Sequence, residues 1–165
     1  MGKLNDMNVT NLEKGKMATF TGSAHERIVT GILIRLGFEV ATADVASTPY
    51  DLLVHIYESP GGKRRIIKAQ IKTVENSVSF HAGSRGGIDR EYKSGVKAYK
   101  YTEEHNDVIF GIQKETLDVY VVPTRFIKNW GESRSVSKLQ ILKNNWDVLL
   151  NWNKEYLDKL ETQLD

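Results

Sequence analysis

Arg65-Ile66-Ile67-Lys68-Ala69-Gln70-Ile71-Lys72-Thr73-Val74 is the stretch that decides the fold. A strand turns successive side chains to opposite faces, so Ile67, Ala69, Ile71 and Thr73 share one face and Lys68, Gln70 and Lys72 the other. The first face suits a core; the second presents two ammonium groups and an amide. Upstream, Ser59-Pro60-Gly61-Gly62 is a turn signal, and Asp51 to Tyr57 reads as another strand. The two strands are expected to pair antiparallel as a hairpin near the centre of a sheet.

Working outward, Ile28, Val29, Ile32, Leu33 and Leu36 recur at helical spacing and Gly37 follows as a stop, which predicts a helix over residues 22–36. Residues 1–20 are polar and aperiodic, and are expected to form an arm ahead of a domain spanning residues 21–165. Residues 38–42 alternate as a strand. Residues 76–106 are rich in Gly, Ser, Lys, Arg and Tyr, a long irregular stretch of the kind a compact domain keeps for function. Strands are expected over residues 107–112 and 117–122, then a short turn over residues 125–130. A final helix over residues 145–164 carries Trp146, Leu149, Leu150, Trp152, Leu157 and Leu160 as a stripe, read as core, with a dimer face as the second reading. The result is a single mixed α/β domain with a central mixed β-sheet flanked by helices.

Composition agrees. The 165 residues are 40% hydrophobic and 27% charged, with mean hydropathy −0.41, as in ordinary globular domains. No apolar run approaches the roughly 20 residues that cross a bilayer. The opening residues lack the apolar centre of a signal peptide, so a cytoplasmic location without membrane contact is expected. The absence of cysteine excludes disulfide frameworks, zinc ribbons and thiolate nucleophiles, and leaves any metal to oxygen or imidazole. His25, His55, His81 and His105 show no zinc-site spacing and are read as core or surface residues. No glycine-rich nucleotide fingerprint occurs.

Charge is uneven. Residues 63–100 hold ten Lys/Arg against three acids, a surplus of +7 in a chain whose total is +2, so the remainder carries −5. Such a block suits a polyanion, because each neutralised phosphate releases condensed counterions; a solvated, lysine-rich loop is the plain alternative.

Asp51 opens one hairpin strand, with Gln70 and Lys72 on the next. The Asp51 carboxylate, the Gln70 side-chain carbonyl, the Ile71 backbone carbonyl and waters are the oxygen donors a hard cation such as Mg²⁺ takes. Glu26, spaced i, i+3 and i+7 with Val29 and Leu33, prolongs the buried stripe of the first helix, where a carboxylate needs a cation or donor. Each residue also has a plainer reading. Ser23-x-x-Glu26 matches a capping box, Asp51 follows a proline as turn residues do, and Lys72 alone would be a surface lysine.

Taken together, Ser23-Ala24-His25-Glu26, Pro49-Tyr50-Asp51 and Ala69-Gln70-Ile71-Lys72-Thr73 resemble the PD-(D/E)XK nuclease superfamily. Within it, the resemblance is to the group I intron-associated homing endonucleases of cyanobacteria and their phages, which carry Gln where most members have an acid, followed by Lys and Thr. Residues 107–112 with 119–123 fit that branch, and the resemblance covers about residues 21–130. Tyr50 separates the proline from Asp51, and Gln70 brings no charge, which leaves a weaker ion site and counts against a two-ion mechanism.

The resemblance implies a restriction-endonuclease-like core and phosphodiester hydrolysis by a metal-activated water. Asp51, Gln70 and Ile71 would hold Mg²⁺, or Mn²⁺ in its place, and Glu26 would orient the ion's waters. Lys72 would face the attacking water or the developing charge. Arg64, Arg65, Lys68, Arg85, Arg90, Lys93, Lys97 and Lys100, with Tyr92, Tyr99 and Tyr101 interleaved, would contact double-stranded DNA. A site-specific endonuclease acting as a dimer or tetramer is the expected function. The alternatives are a Holliday-junction resolvase and a catalytically silent DNA-binding module of the same fold.

Overall fold

The computed structural model describes residues 8–45, 48–57, 63–82 and 99–164. Helix α1 (Lys14–Arg35) comes first, followed by β1 (Glu39–Thr42), β2 (Leu52–Tyr57) and β3 (Arg64–Val74). Three short strands follow, β4 (Ser77–Ser79), β5 (His81–Ala82) and β6 (Tyr99–Lys100), then β7 (Val108–Gln113) and β8 (Val119–Pro123). A 3₁₀ helix (Thr124–Asn129) leads to β9 (Ser133–Ser135), a second 3₁₀ helix (Val136–Leu142), α2 (Asp147–Leu150) and α3 (Lys154–Thr162). No described helix is long and apolar enough to cross a membrane.

The main sheet has five strands in the order β1-β2-β3-β7-β8. β1, β2 and β3 run antiparallel in succession, β3 pairs parallel with β7, and β7 pairs antiparallel with β8. This is the mixed sheet expected, with the Arg65–Val74 stretch as its middle strand. β7 and β8 are buried nearly end to end, as strands covered on both faces are. Pro123 ends β8 on the sheet's edge, where the missing N–H costs no ladder bond. Tyr120 bridges to Lys143 on the same edge.

α1 turns His25, Val29 and Leu33 inward, one residue per turn. Its end follows the sequence. Gly37 takes φ +93°, the Phe38 N–H donates to Leu33 O at 3.0 Å and the Gly37 N–H to Ile34 O at 2.9 Å, a Schellman closure that needs a left-handed residue. Its start does not. The helix begins at Lys14, with Glu13 as an N-cap that makes no side-chain bond. Ser23 and Glu26 therefore lie in mid-helix, which removes the capping-box reading. Helix propagation through residues 14–22 needs no apolar stripe once the stripe at 25–33 has anchored the rest.

The expected C-terminal helix is broken. α2 is a single turn, and Asn153, extended at φ −137° and ψ 161°, accepts from the Tyr156 N–H at 2.9 Å to cap α3. Asparagine side chains compete with the helix for backbone donors, so Asn151-Trp152-Asn153 makes a break in a run that apolar spacing alone read as continuous. Leu157 and Leu160 are buried as expected, whereas Leu150 is exposed. β9 and the Val136–Leu142 helix were not anticipated. Within the loop region, β4 pairs with β9 and β5 with β6. The predicted turn at residues 59–62 and residues 83–98 lie outside the described residues.

Candidate functional site

β2 and β3 stop pairing at Leu52 and Ala69, yet β3 runs on to Val74. The Asp51 N–H donates to Ala69 O at 2.8 Å. Backbone groups of alternate residues point to the same side of a strand, so the N–H and C=O of Ile71 also point toward β2, where no strand meets them. The Asp51 carboxylate fills that gap: its Oδ2 accepts the Ile71 N–H at 2.7 Å. The end of the β2–β3 ladder is thereby closed by a carboxylate.

Gln70 completes it. Its side chain is 9% exposed, and Nε2 donates to Asp51 Oδ2 at 2.6 Å and to Ile71 O at 3.2 Å. The amide thus sits between two oxygens that want a cationic or donor group. Half a turn of the amide plane presents Oε1 to the same space, converting a bridging donor into a third oxygen. Carboxylate, amide and main-chain carbonyl oxygens are the donor set of a hard divalent cation. Among the described residues, no three His, Asp or Glu side chains gather as an ion site.

Asp107 supplies an internal comparison. Its N–H donates to Lys68 O and its Oδ2 accepts the Lys68 N–H, at 2.8 and 2.7 Å. Two aspartates, one before β2 and one before β7, therefore clasp β3 from opposite sides. Asp107 bonds the Lys68 backbone, whereas Asp51 also receives the Gln70 amide, which marks what is particular to Asp51. The sequence signal was available: both aspartates immediately precede apolar strands.

Lys68, Gln70 and Lys72 emerge on one face of β3, as alternation requires. The Lys68 ammonium donates to Glu104 O at 3.0 Å, and Lys72 Nζ stands 5.1 Å from the centroid of the Tyr101 ring. Gly111 of β7 lies beside Lys72 in register. A Cβ there would come within 2.8 Å of a Val78 methyl carbon, so glycine allows β4 to close over this face. Tyr101, expected among the DNA-contacting residues, is 3% exposed and lies beneath Lys72.

Thr73, on the opposite face, hydrogen-bonds His25 Nδ1 at 2.8 Å. His25 is 4% exposed, and burial, with the Lys114 charge second, holds its pKa below the ordinary histidine value. α1 is thus fastened one residue beyond Lys72. Glu26, next to His25, is half-buried.

Four of the eight expected DNA-contacting residues are described. Arg64 is exposed and pairs with Glu39 at 2.7 Å. Arg65 reaches Trp152 O at 2.6 Å. Lys68 and Lys100 direct their ammonium groups to the carbonyls of Glu104 and Trp130. Lys68 shares the Gln70–Lys72 face, whereas Arg64 and Arg65 stand at the other end of β3. Arg85, Arg90, Lys93 and Lys97 lie outside the described residues.

No family model and no curated protein matches the sequence. The fold, however, is similar to that of a solved bacterial homing endonuclease, I-Ssp6803I, at a TM-score of 0.62 and 16% identity, over 80% of this chain and 92% of that one. The likeness is one of fold, and it supports the central sheet and flanking helices expected above.

Proposed function

We propose that this chain is a divalent-cation-dependent DNA endonuclease that hydrolyses phosphodiester bonds, of the PD-(D/E)XK type. The observation that carries the reading is the convergence of the Asp51 carboxylate, the Gln70 amide and the Ile71 carbonyl where β2 leaves β3, with Lys72 next along the same strand face. The fold likeness to a protein titled a bacterial homing endonuclease supports it.

Asp51, Gln70 through Oε1 and Ile71 O would hold Mg²⁺ or Mn²⁺. The cation supplies charge neutralisation at the phosphate and acidifies water. Lys72 places an ammonium where negative charge develops on the phosphoryl oxygens, and a charged donor so placed contributes about 10²- to 10³-fold in rate. Glu26 orients water at the helix side of the site. Lys68, Lys100 and the other basic residues of the region hold the DNA backbone, and two copies of the chain cut two strands.

The test is incubation of supercoiled plasmid and long linear DNA with Mg²⁺ and with EDTA. Cleavage with Mg²⁺ only, reduced at least about 100-fold in Lys72→Ala with DNA retention intact, supports the reading. Equal cleavage by Lys72→Ala contradicts it.

One observation favours a second reading, a DNA-binding module without catalysis: the Gln70 amide already satisfies Asp51 and Ile71 O without a cation. That reading predicts DNA retention with no cleavage under any divalent cation.

A further inference from the structure

The Lys72 ammonium rests over an aromatic ring that the fold holds rigidly. The Tyr101 N–H donates to Phe80 O at 2.8 Å, and the ring meets Tyr99 edge-on, centroids 5.9 Å apart at 84°. His105 closes a third side at 6.4 Å and 71°. β6, immediately before Tyr101, is paired with β5. Lys72, by contrast, carries its charge on a flexible four-carbon stem. Of the two partners, the ring is fixed and the lysine adjusts.

We propose that Tyr101 is a positioning residue for Lys72, its ring face acting as the seat that holds the ammonium toward the Asp51–Gln70–Ile71 cluster. This rests on the hydrolytic reading of Lys72 given above. The quadrupole of an aromatic ring attracts a cation to its face, the more so where water is excluded, and Tyr101 is 3% exposed. The attraction requires the ring and not the hydroxyl, so it can be graded by fluorine relative to Tyr101→Phe with little change of shape.

The experiment replaces Tyr101 in the full chain with Phe and with mono-, di- and trifluorinated phenylalanines, and follows plasmid cleavage with Mg²⁺ beside a Lys72→Ala control. Each fluorine weakens the ring quadrupole and is expected to lower kcat by about 2-fold, while KM and Tm stay level across the series. A residue that only filled the core would show no such grading. A flat kcat with Lys72→Ala inactive overturns the seat and leaves the hydrolytic reading standing; Lys72→Ala cutting at the unsubstituted rate overturns both. In the metal-free protein, the Lys72 ε-methylene proton resonance is expected upfield of its ordinary position and returned to it in Tyr101→Leu. An unshifted resonance overturns the contact itself.

Discussion

Asp51 Oδ2 lies 2.6 Å from Gln70 Nε2, and the same amide reaches Ile71 O at 3.2 Å. The amide is the positive end of a dipole placed between two oxygens; with the proposed cation, rotation about its last bond would make it a ligand.

Gln70→Glu tests that pairing. A second carboxylate beside Asp51 repels it, so the variant should melt below the unsubstituted protein in EDTA. With Mn²⁺ the order should reverse, because two charges hold the ion more tightly. Thermal melting with and without Mn²⁺ is the measurement. A rise in Tm with Mn²⁺ no larger than that of the unsubstituted protein would remove Gln70 from the site.

Asp51 and Asp107 separate holding the fold from holding an ion. Asp51→Asn and Asp107→Asn each weaken a bond to a β3 N–H, at a cost of about 1–2 kcal/mol by chemical denaturation. A ligand at 100 times its Kd stabilises a protein by about 2.7 kcal/mol. Only Asp51→Asn should abolish that increment for Mn²⁺. Equal losses in the two variants would reduce Asp51 to a strand clasp.

His25 gives a pH dependence with a defined sign. Its folded pKa lies below the ordinary histidine value of 6.5, so the unfolded chain binds the proton more readily. Its contribution to stability is complete above that value and is lost as pH falls through it toward the lowered folded value. Denaturation midpoints at several pH values between 7.5 and 5 should fall more steeply for the unsubstituted protein than for His25→Gln. Parallel slopes would contradict this.

Gly111→Ala should destabilise by about 1–3 kcal/mol through overpacking, since the new methyl meets Val78 at 2.8 Å and Val74 at 3.0 Å. Urea denaturation measures it, and a loss within error would show that β4 gives way freely.

Much of this was legible in the chain, for identifiable reasons. Alternation along Arg64–Val74 and the Gly37 stop are local rules, and both hold in the structure. Local rules do not decide the length of a helix whose first turns carry no apolar stripe, so Lys14 was missed as the start of α1. They do not detect Asn151–Asn153 as a break within an apolar run either. Asp51 and Gln70 could be named from residue type, but their contact depends on β2 beginning at Leu52, opposite Ala69, while β3 runs on to Val74, which is a matter of register between strands. Tyr101 was legible as an aromatic residue among cations; its burial beneath Lys72 depends on the β5–β6 pairing, two residues long and invisible to periodicity.

The shared ion site is tested most directly by an anomalous difference map from a crystal soaked in Mn²⁺. The expected result is one peak about 2.1 Å from an Asp51 carboxylate oxygen, Gln70 Oε1 and Ile71 O, with the Gln70 amide turned from its metal-free orientation. A map at saturating Mn²⁺ with no peak between Asp51 and Ile71, and Gln70 Nε2 still donating to Asp51, would contradict it.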